Sequence, residues 1–129
     1  MLKSLRNRKH QVITALSIRQ EGSQFLAQDL CCSDVRMRDY SDQEIQDYVL
    51  SGDPLDKAGS YAIQSPEFDP VEKFSGCFAS VMGMPLCHLE RTLRKLPDYE
   101  SCKMGVICRR NIDYECPITQ RVLLGEDIG

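Results

Sequence analysis

Gln11-Val12-Ile13-Thr14-Ala15-Leu16-Ser17-Ile18-Arg19 sets Val12, Thr14, Leu16 and Ile18 in alternation with Ile13, Ala15 and Ser17. A period of two rich in β-branched side chains defines a strand, because successive side chains of an extended chain point to opposite faces. Glu21-Gly22-Ser23 supplies a turn. The run from Gln24 to Arg38, with apolar points at Phe25, Leu26, Leu30, Val35 and Met37, then reads as a second strand, broken near Cys31 to Asp34 and paired antiparallel with the first. Working outward, Ser41 followed by Glu44 is a capping box. It opens a helix from about Asp42 to Leu50, with Ile45, Tyr48 and Val49 on one face and Gly52 beyond its end. Asp56 to Ile63 is expected to form another short helix, although Gly59 opposes it. Val71 to Phe74 and Cys77 to Met82 read as two strands joined at Ser75-Gly76. Pro85 suits the first turn of a helix to about Leu96, with Leu86, Leu89, Leu93 and Leu96 as its apolar stripe. Pro97 ends it, and the remaining residues show only a weak helical pattern at Ile118 to Leu124. Interleaved strands and helices of this kind define an α/β fold with a sheet flanked by helices.

A chain of 129 residues with a net charge of −3 is one domain by length and carries no basic footprint, so polynucleotide binding is disfavoured. No run of about 18 apolar residues occurs, which disfavours a membrane span. The cluster of Lys3, Arg6, Arg8, Lys9 and His10 lacks the apolar block of a secretory signal. A cytoplasmic location is the expectation. The seven cysteines are odd in number and include the adjacent pair Cys31-Cys32, so in a reducing compartment they read as thiols. Cys102, Cys108 and Cys116, with Cys87-His88 nearby, offer ligand chemistry for zinc or an iron–sulfur cluster. Their spacing matches no standard pattern and no Cys-x2-Cys knuckle is present, so reduced thiols are expected and metal binding there stays open.

Ser51-Gly52-Asp53-Pro54-Leu55-Asp56-Lys57-Ala58-Gly59-Ser60-Tyr61-Ala62-Ile63-Gln64 is a run of turn residues and charges with little apolar content. Read by itself it is a solvated turn whose charges cap neighbouring helices. It also resembles the S-G-E-P-x-D-K-A-G-x-Y-x-I-Q signature of the Maf family of nucleoside triphosphate pyrophosphatases, with Asp53 in place of Glu. Three further stretches are similar to that family in order and spacing. Leu5 to Thr14 resembles L-S-G-R-x-H-x-V-x-T, with Arg6 and Asn7 replacing Ser and Gly. Val35 to Val49 resembles a strand followed by L-S-D-x-E-I-x-x-Y-V, and Phe74 to Leu86 resembles I-x-G-x-x-x-N-V-x-G-L-P-L, with Ser80 where Asn is usual. Asn tolerates the left-handed backbone better than most residues, so the turn at Asn7 is expected to survive.

The resemblance implies a partial mixed sheet of the Maf and inosine-triphosphatase-like kind over residues 1–96, the C-terminal portion of such a domain. Residues 97–129 would form a Cys-containing tail packed on it or extending it. It implies hydrolysis of a pyrimidine nucleoside triphosphate, dTTP or UTP, to the monophosphate and pyrophosphate with Mg2+ or Mn2+. The residues it marks for substrate are Gln64, Lys57, Asp56 and Arg8, with Asp53 as a further candidate for metal contact. Gln64, as a buried amide, would present a donor and an acceptor to the edge of uracil or thymine, as the Gln of the branch favouring dTTP and UTP does. The bland reading is a satisfied polar residue closing a helix. Arg8 and His10 would approach phosphate or lie on the surface, and Tyr61 would pack beside a base or in the core. The family's S-P-R-R loop, its A-D-T segment with the Asp base and its Lys-Pro pair match nothing in these 129 residues, so no catalytic residue is assigned and turnover is expected to be impaired. A sheet without its remaining strands exposes an edge and a face. A homodimer, or a non-catalytic interaction protein, is the alternative this suggests.

Overall fold

The computed structural model describes residues 1–129, with six helices and a three-stranded antiparallel sheet of order β1-β2-β3. The strands are β1 (Lys9–Arg19), β2 (Leu26–Met37) and β3 (Val71–Ser75); the helices are α1 (Leu2–Leu5), α2 (Asp42–Leu50), α3 (Phe78–Val81), α4 (Leu86–Leu93), α5 (Met104–Asn111) and α6 (Thr119–Leu123). The α/β expectation holds. The chain divides into two compact units: Met1–Gln11 with Asp34–Ser75, and Val12–Ser33 with Gly76–Gly129. No helix is long and apolar enough to cross a membrane.

In the first unit, β2 pairs with β3 in the register Asp34 to Ser75 and Val35 to Phe74, with an irregularity between Arg36 and Met37. Val35 and Met37 are fully buried. The same unit holds an aromatic cluster in which the Phe68 ring lies 4.2 Å from Tyr48 and 4.9 Å from Tyr40. Asn7 takes the left-handed backbone at φ 55°, as its side chain allows, and its Oδ1 accepts from Arg36 Nη2 at 3.0 Å. The capping box at α2 is complete: Ser41 Oγ accepts from Glu44 N, and the Glu44 carboxylate accepts from Ser41 N at 2.7 Å. With Arg38 added at 2.8 Å, these bonds hold the Glu44 carboxyl down at about 2. The helix expected at Asp56 to Ile63 is replaced by two short 3-10 turns, Asp53–Asp56 and Ala58–Ser60. Pro54 starts the first, and Gly59 at φ 79° interrupts the second, a left-handed residue that no helix continues through.

In the second unit, β2 runs unbroken through Cys31 to Asp34, because Cys31 and Ser33 are buried on one face while their neighbours keep the alternation. The strand expected at Cys77 to Met82 is instead α3. Ala79 and Ser80 are both buried, which consecutive residues of a one-faced strand do not achieve. The Cys77 N–H bonds to Ser33 Oγ at 3.0 Å rather than entering a ladder. Helix α4 ends at Leu93, short of Leu96, and its buried residues are Cys87, His88, Glu90 and Thr92; the leucine stripe is only half-buried. Burial of Glu90 and Thr92 is sustained because each finds hydrogen-bond partners. Thr92 Oγ1 donates to His88 O at 2.7 Å, and Glu90 accepts from Arg94 Nη2 at 2.9 Å, from Ser101 Oγ and from the Met104 N–H that opens α5.

Helix α5 has no sequence counterpart in the expected elements, whereas α6 falls on the weak pattern near the end. Both pack on α4 around a core of Cys31, Cys77, Ala79, Cys87, Cys108, Ile118 and Val122. Thiols serve there as small polarizable hydrophobes. The hydrogen bond from Cys77 holds the Cys31 thiol below its ordinary range, and the same bond with burial pushes Cys77 up. All seven cysteines are unbridged.

Candidate functional site

The polar run after α2 is built on one aromatic residue of that helix. Tyr48 is buried at 6% exposure and stacked on Phe68 with ring planes 9° apart, which fixes its hydroxyl. That hydroxyl donates to Asp53 Oδ2 at 2.5 Å and accepts the Ala62 N–H at 3.0 Å, so it joins both ends of the loop to the helix. Burial and the Asp53 carboxylate push the Tyr48 phenol up to about 12, which keeps it a donor at neutral pH. Ser51 Oγ closes the helix end by donating to Tyr48 O at 2.7 Å and accepting the Asp53 N–H at 3.3 Å.

The free oxygen of Asp53 then turns to Lys57. Lys57 Nζ lies 2.7 Å from Asp56 Oδ1 and 3.4 Å from Asp53 Oδ1. The Asp56 hydrogen bond raises the Lys57 ammonium, and Lys57 lowers the Asp56 carboxyl in return. At this exposure the pairs add little stability, and their effect is to hold one ammonium between two carboxylates. An open cleft of about 450 Å³ is lined by Tyr48, Ser51, Asp53, Ala62, Gln64 and neighbouring residues to Glu67; of the trio only Asp53 lines it, with Lys57 and Asp56 outside the lining and joined to it through Asp53. Asp53, Asp56 and Lys57 therefore converge as a cluster, and Gln64 stands on the wall of the same cleft. Gln64 is exposed, which corrects the expectation of a buried amide. The chain from Tyr61 to Phe68 is irregular, so its backbone turns Ala62 and Phe68 inward and leaves Gln64 in solvent; no helix is there for it to close.

Arg8 is exposed and outside the lining of this cleft, its Nη1 donating at 3.5 Å to Ser4 O. His10 is held by Tyr61, Nε2 to the hydroxyl at 3.0 Å with the rings edge-on, and burial lowers its pKa. Tyr61 itself is 6% exposed and packs as core. In the other unit, Thr14 pairs with Ser80, its Oγ1 accepting from Ser80 Oγ at 3.0 Å. The role of Tyr48 was not legible beforehand, because a phenol on the apolar face of a helix carries no signal that its hydroxyl organises a loop. Among the cysteines, Cys102 is exposed while Cys87 and Cys108 are buried, and the tail set of Cys102, Cys108 and Cys116 does not converge.

A family profile described as Maf-like protein matches residues 1–96, and the chain belongs to that family. Among curated relatives, the chain is 39% identical over 92 residues to a protein of Dehalococcoides mccartyi named dTTP/UTP pyrophosphatase, covering 71% of this chain and 41% of that protein. It is 42% identical over 95 residues to one of the same name from Photorhabdus laumondii, covering 74% and 48%. A third, from Aquifex aeolicus, is 41% identical over 96 residues, covering 74% and 50%. The chain spans about half the length of the curated relatives it matches.

Proposed function

We propose that this chain carries the base-reading and phosphate-neutralising part of a nucleoside triphosphate pyrophosphatase that acts on dTTP or UTP. The observation that carries the reading is the cluster in which Asp53, on the wall of the cleft that bears Gln64, holds Lys57 together with Asp56, within residues 1–96 that match the family. In this reading the exposed Gln64 amide offers its N–H and C=O to the edge of a pyrimidine entering from solvent. Lys57 supplies positive charge to phosphate, with Asp56 holding it in place. Arg8, bound only by a 3.5 Å contact, swings to a further phosphate oxygen.

Cleavage between the α and β phosphates requires an activated water and charge neutralisation, for which Mg2+ or Mn2+ is the proposed ion. The carboxylates of this loop do not by themselves fit such an ion. Lys57 engages both, and the only three-residue group of possible ligands that converges in the chain is one of Cys and His, a soft donor set. The ion is therefore proposed to arrive on the triphosphate. No residue of these 129 matches the family's Asp base, so the chain by itself is expected to bind nucleotide and turn it over little. Nucleotide titration of the purified chain with its Gln64→Ala variant tests the reading.

A second reading, a homodimer, is favoured by the outward positions of β1 and β2. Ile13, Leu26 and Leu30 are 60%, 59% and 55% exposed there. Light scattering on the purified chain distinguishes them, since a monomer at high concentration contradicts the dimer. Residence in the cytoplasm is proposed on the seven unbridged thiols.

A further inference from the structure

We propose that Cys31, Cys77 and His88 form a buried Cys2His site for a thiophilic transition-metal ion, Zn2+ foremost, separate from the nucleotide cleft. Their candidate ligand atoms lie within 4.8 Å of one another, and the residues are 0%, 5% and 1% exposed. A tetrahedral zinc with Zn–S bonds of about 2.3 Å spaces two sulfurs by about 3.8 Å, so the donors need to close by only about 1 Å.

The histidine carries the independent evidence. His88 Nε2 is 3.1 Å from the Ile128 carbonyl, which can only accept, so that nitrogen holds the ring proton. Nδ1 is left with a lone pair, is buried and makes no well-formed hydrogen bond, and the ring's remaining interaction is with the Cys31 thiol of the same group. An imidazole fixed through one nitrogen by a backbone carbonyl, with the other open, is the arrangement of metal-ligating histidines. A buried acceptor with no well-formed hydrogen bond is unfavourable, and a metal ion at Nδ1 removes that cost.

Rigid elements present the donors. Cys31 occupies an inward position of β2. The backbone of Cys77 is clamped by Ser33, whose Oγ accepts from Cys77 N at 3.0 Å and donates to Cys77 O at 3.3 Å. His88 sits on α4 with its carbonyl bonded by Thr92. Two thiols and an imidazole select Zn2+ or Cu+ and reject Mg2+ and Mn2+. A water would complete the tetrahedron of Zn2+, whereas Cu+ needs no fourth donor. Binding balances simply: Zn2+ enters, the Cys31 and Cys77 thiols release two protons, and neutral His88 gives up none.

The test is Co2+ loading of the full chain under reducing conditions, followed by displacement with Zn2+, Cu+ or excess Mg2+. The expected result is one ion per chain, thiolate-to-cobalt charge-transfer bands of two-sulfur intensity, displacement by Zn2+ and Cu+ but not Mg2+, and a metal-dependent rise in the unfolding temperature. Cys31→Ser, Cys77→Ser and His88→Gln should weaken binding at least tenfold, and Cys102→Ser should leave it unchanged. Absence of the bands in folded wild-type chain overturns the proposal, whether or not the variants fold. So do bands that survive in folded Cys31→Ser or vanish in Cys102→Ser.

Discussion

Gly76→Ala is expected to cost about 3 kcal/mol or more in unfolding free energy, enough to leave much of the chain unfolded at 37 °C. Two effects add. Gly76 sits at φ 127°, a conformation essentially reserved to glycine. A Cβ there would also lie 2.8 Å from Ser33 Cα and 2.6 Å from Ser33 Oγ. The obstacle is backbone, and Ser33 Oγ is itself bonded to Cys77 on both sides, so neither yields cheaply. Gly22→Ala is the control, with a positive φ of 74° and nothing within 4 Å, and is expected to cost about 1 kcal/mol. Urea midpoints of the two variants check the difference. Equal losses would mean that the Gly76–Ser33 approach is not a constraint on the fold.

Asp29→Ala is the other large effect, about 3 kcal/mol. Asp29 receives Arg91 through two nitrogens, at 2.7 and 2.5 Å, and Thr92 Oγ1 at 3.1 Å, while Arg91 also reaches Glu126 O at 2.5 Å. Side-chain exposure is 9% for Asp29 and 13% for Arg91, so removing the carboxylate strands a nearly buried cation. Removing both partners is expected to cost less than removing one, since Asp29→Leu with Arg91→Met leaves no unpaired charge. Burial pushes the Asp29 carboxyl up, but the bonds from Arg91, the Leu30 N–H and Thr92 outweigh it and hold the pKa below the ordinary value. A depressed acid adds stability that is present above its unfolded pKa, near 4, and is lost as pH falls through the folded value. The acid limb of stability against pH should therefore be shallower in Asp29→Ala than in wild type. Parallel limbs would show that the pair does not couple to folding.

What was legible in the sequence was local. The alternation along β1 and the box of Ser41 and Glu44 depend on neighbours a few residues away, and both elements stand where those signals put them. The departures are non-local. Cys77 to Met82 coils into α3 because Gly76 and Ser33 redirect the chain, and Ser33 lies on another element. The buried face of α4 holds Glu90 because Ser101 and Met104, beyond Pro97, come back to bond it. No periodicity within residues 86–96 contains that information. In the candidate site, Asp53, Asp56 and Lys57 gather as their spacing in one short loop suggests. The exposure of Gln64 depends on how an irregular segment packs on Phe68 and Tyr48. The family match covers the loop within residues 1–96, whereas the grouping of Cys31 and Cys77 with His88 comes from three separate parts of the chain.

The claim that this chain itself recognises a pyrimidine nucleoside triphosphate is tested most directly by titrating UTP with Mg2+ into the purified chain and following its backbone amides by NMR. The account predicts saturable shifts in Asp53 to Gln64, weaker with GTP and strongly reduced in Gln64→Ala, with little pyrophosphate released. Shifts that never saturate in a folded sample, or that lie outside that segment and persist in Gln64→Ala, would contradict it.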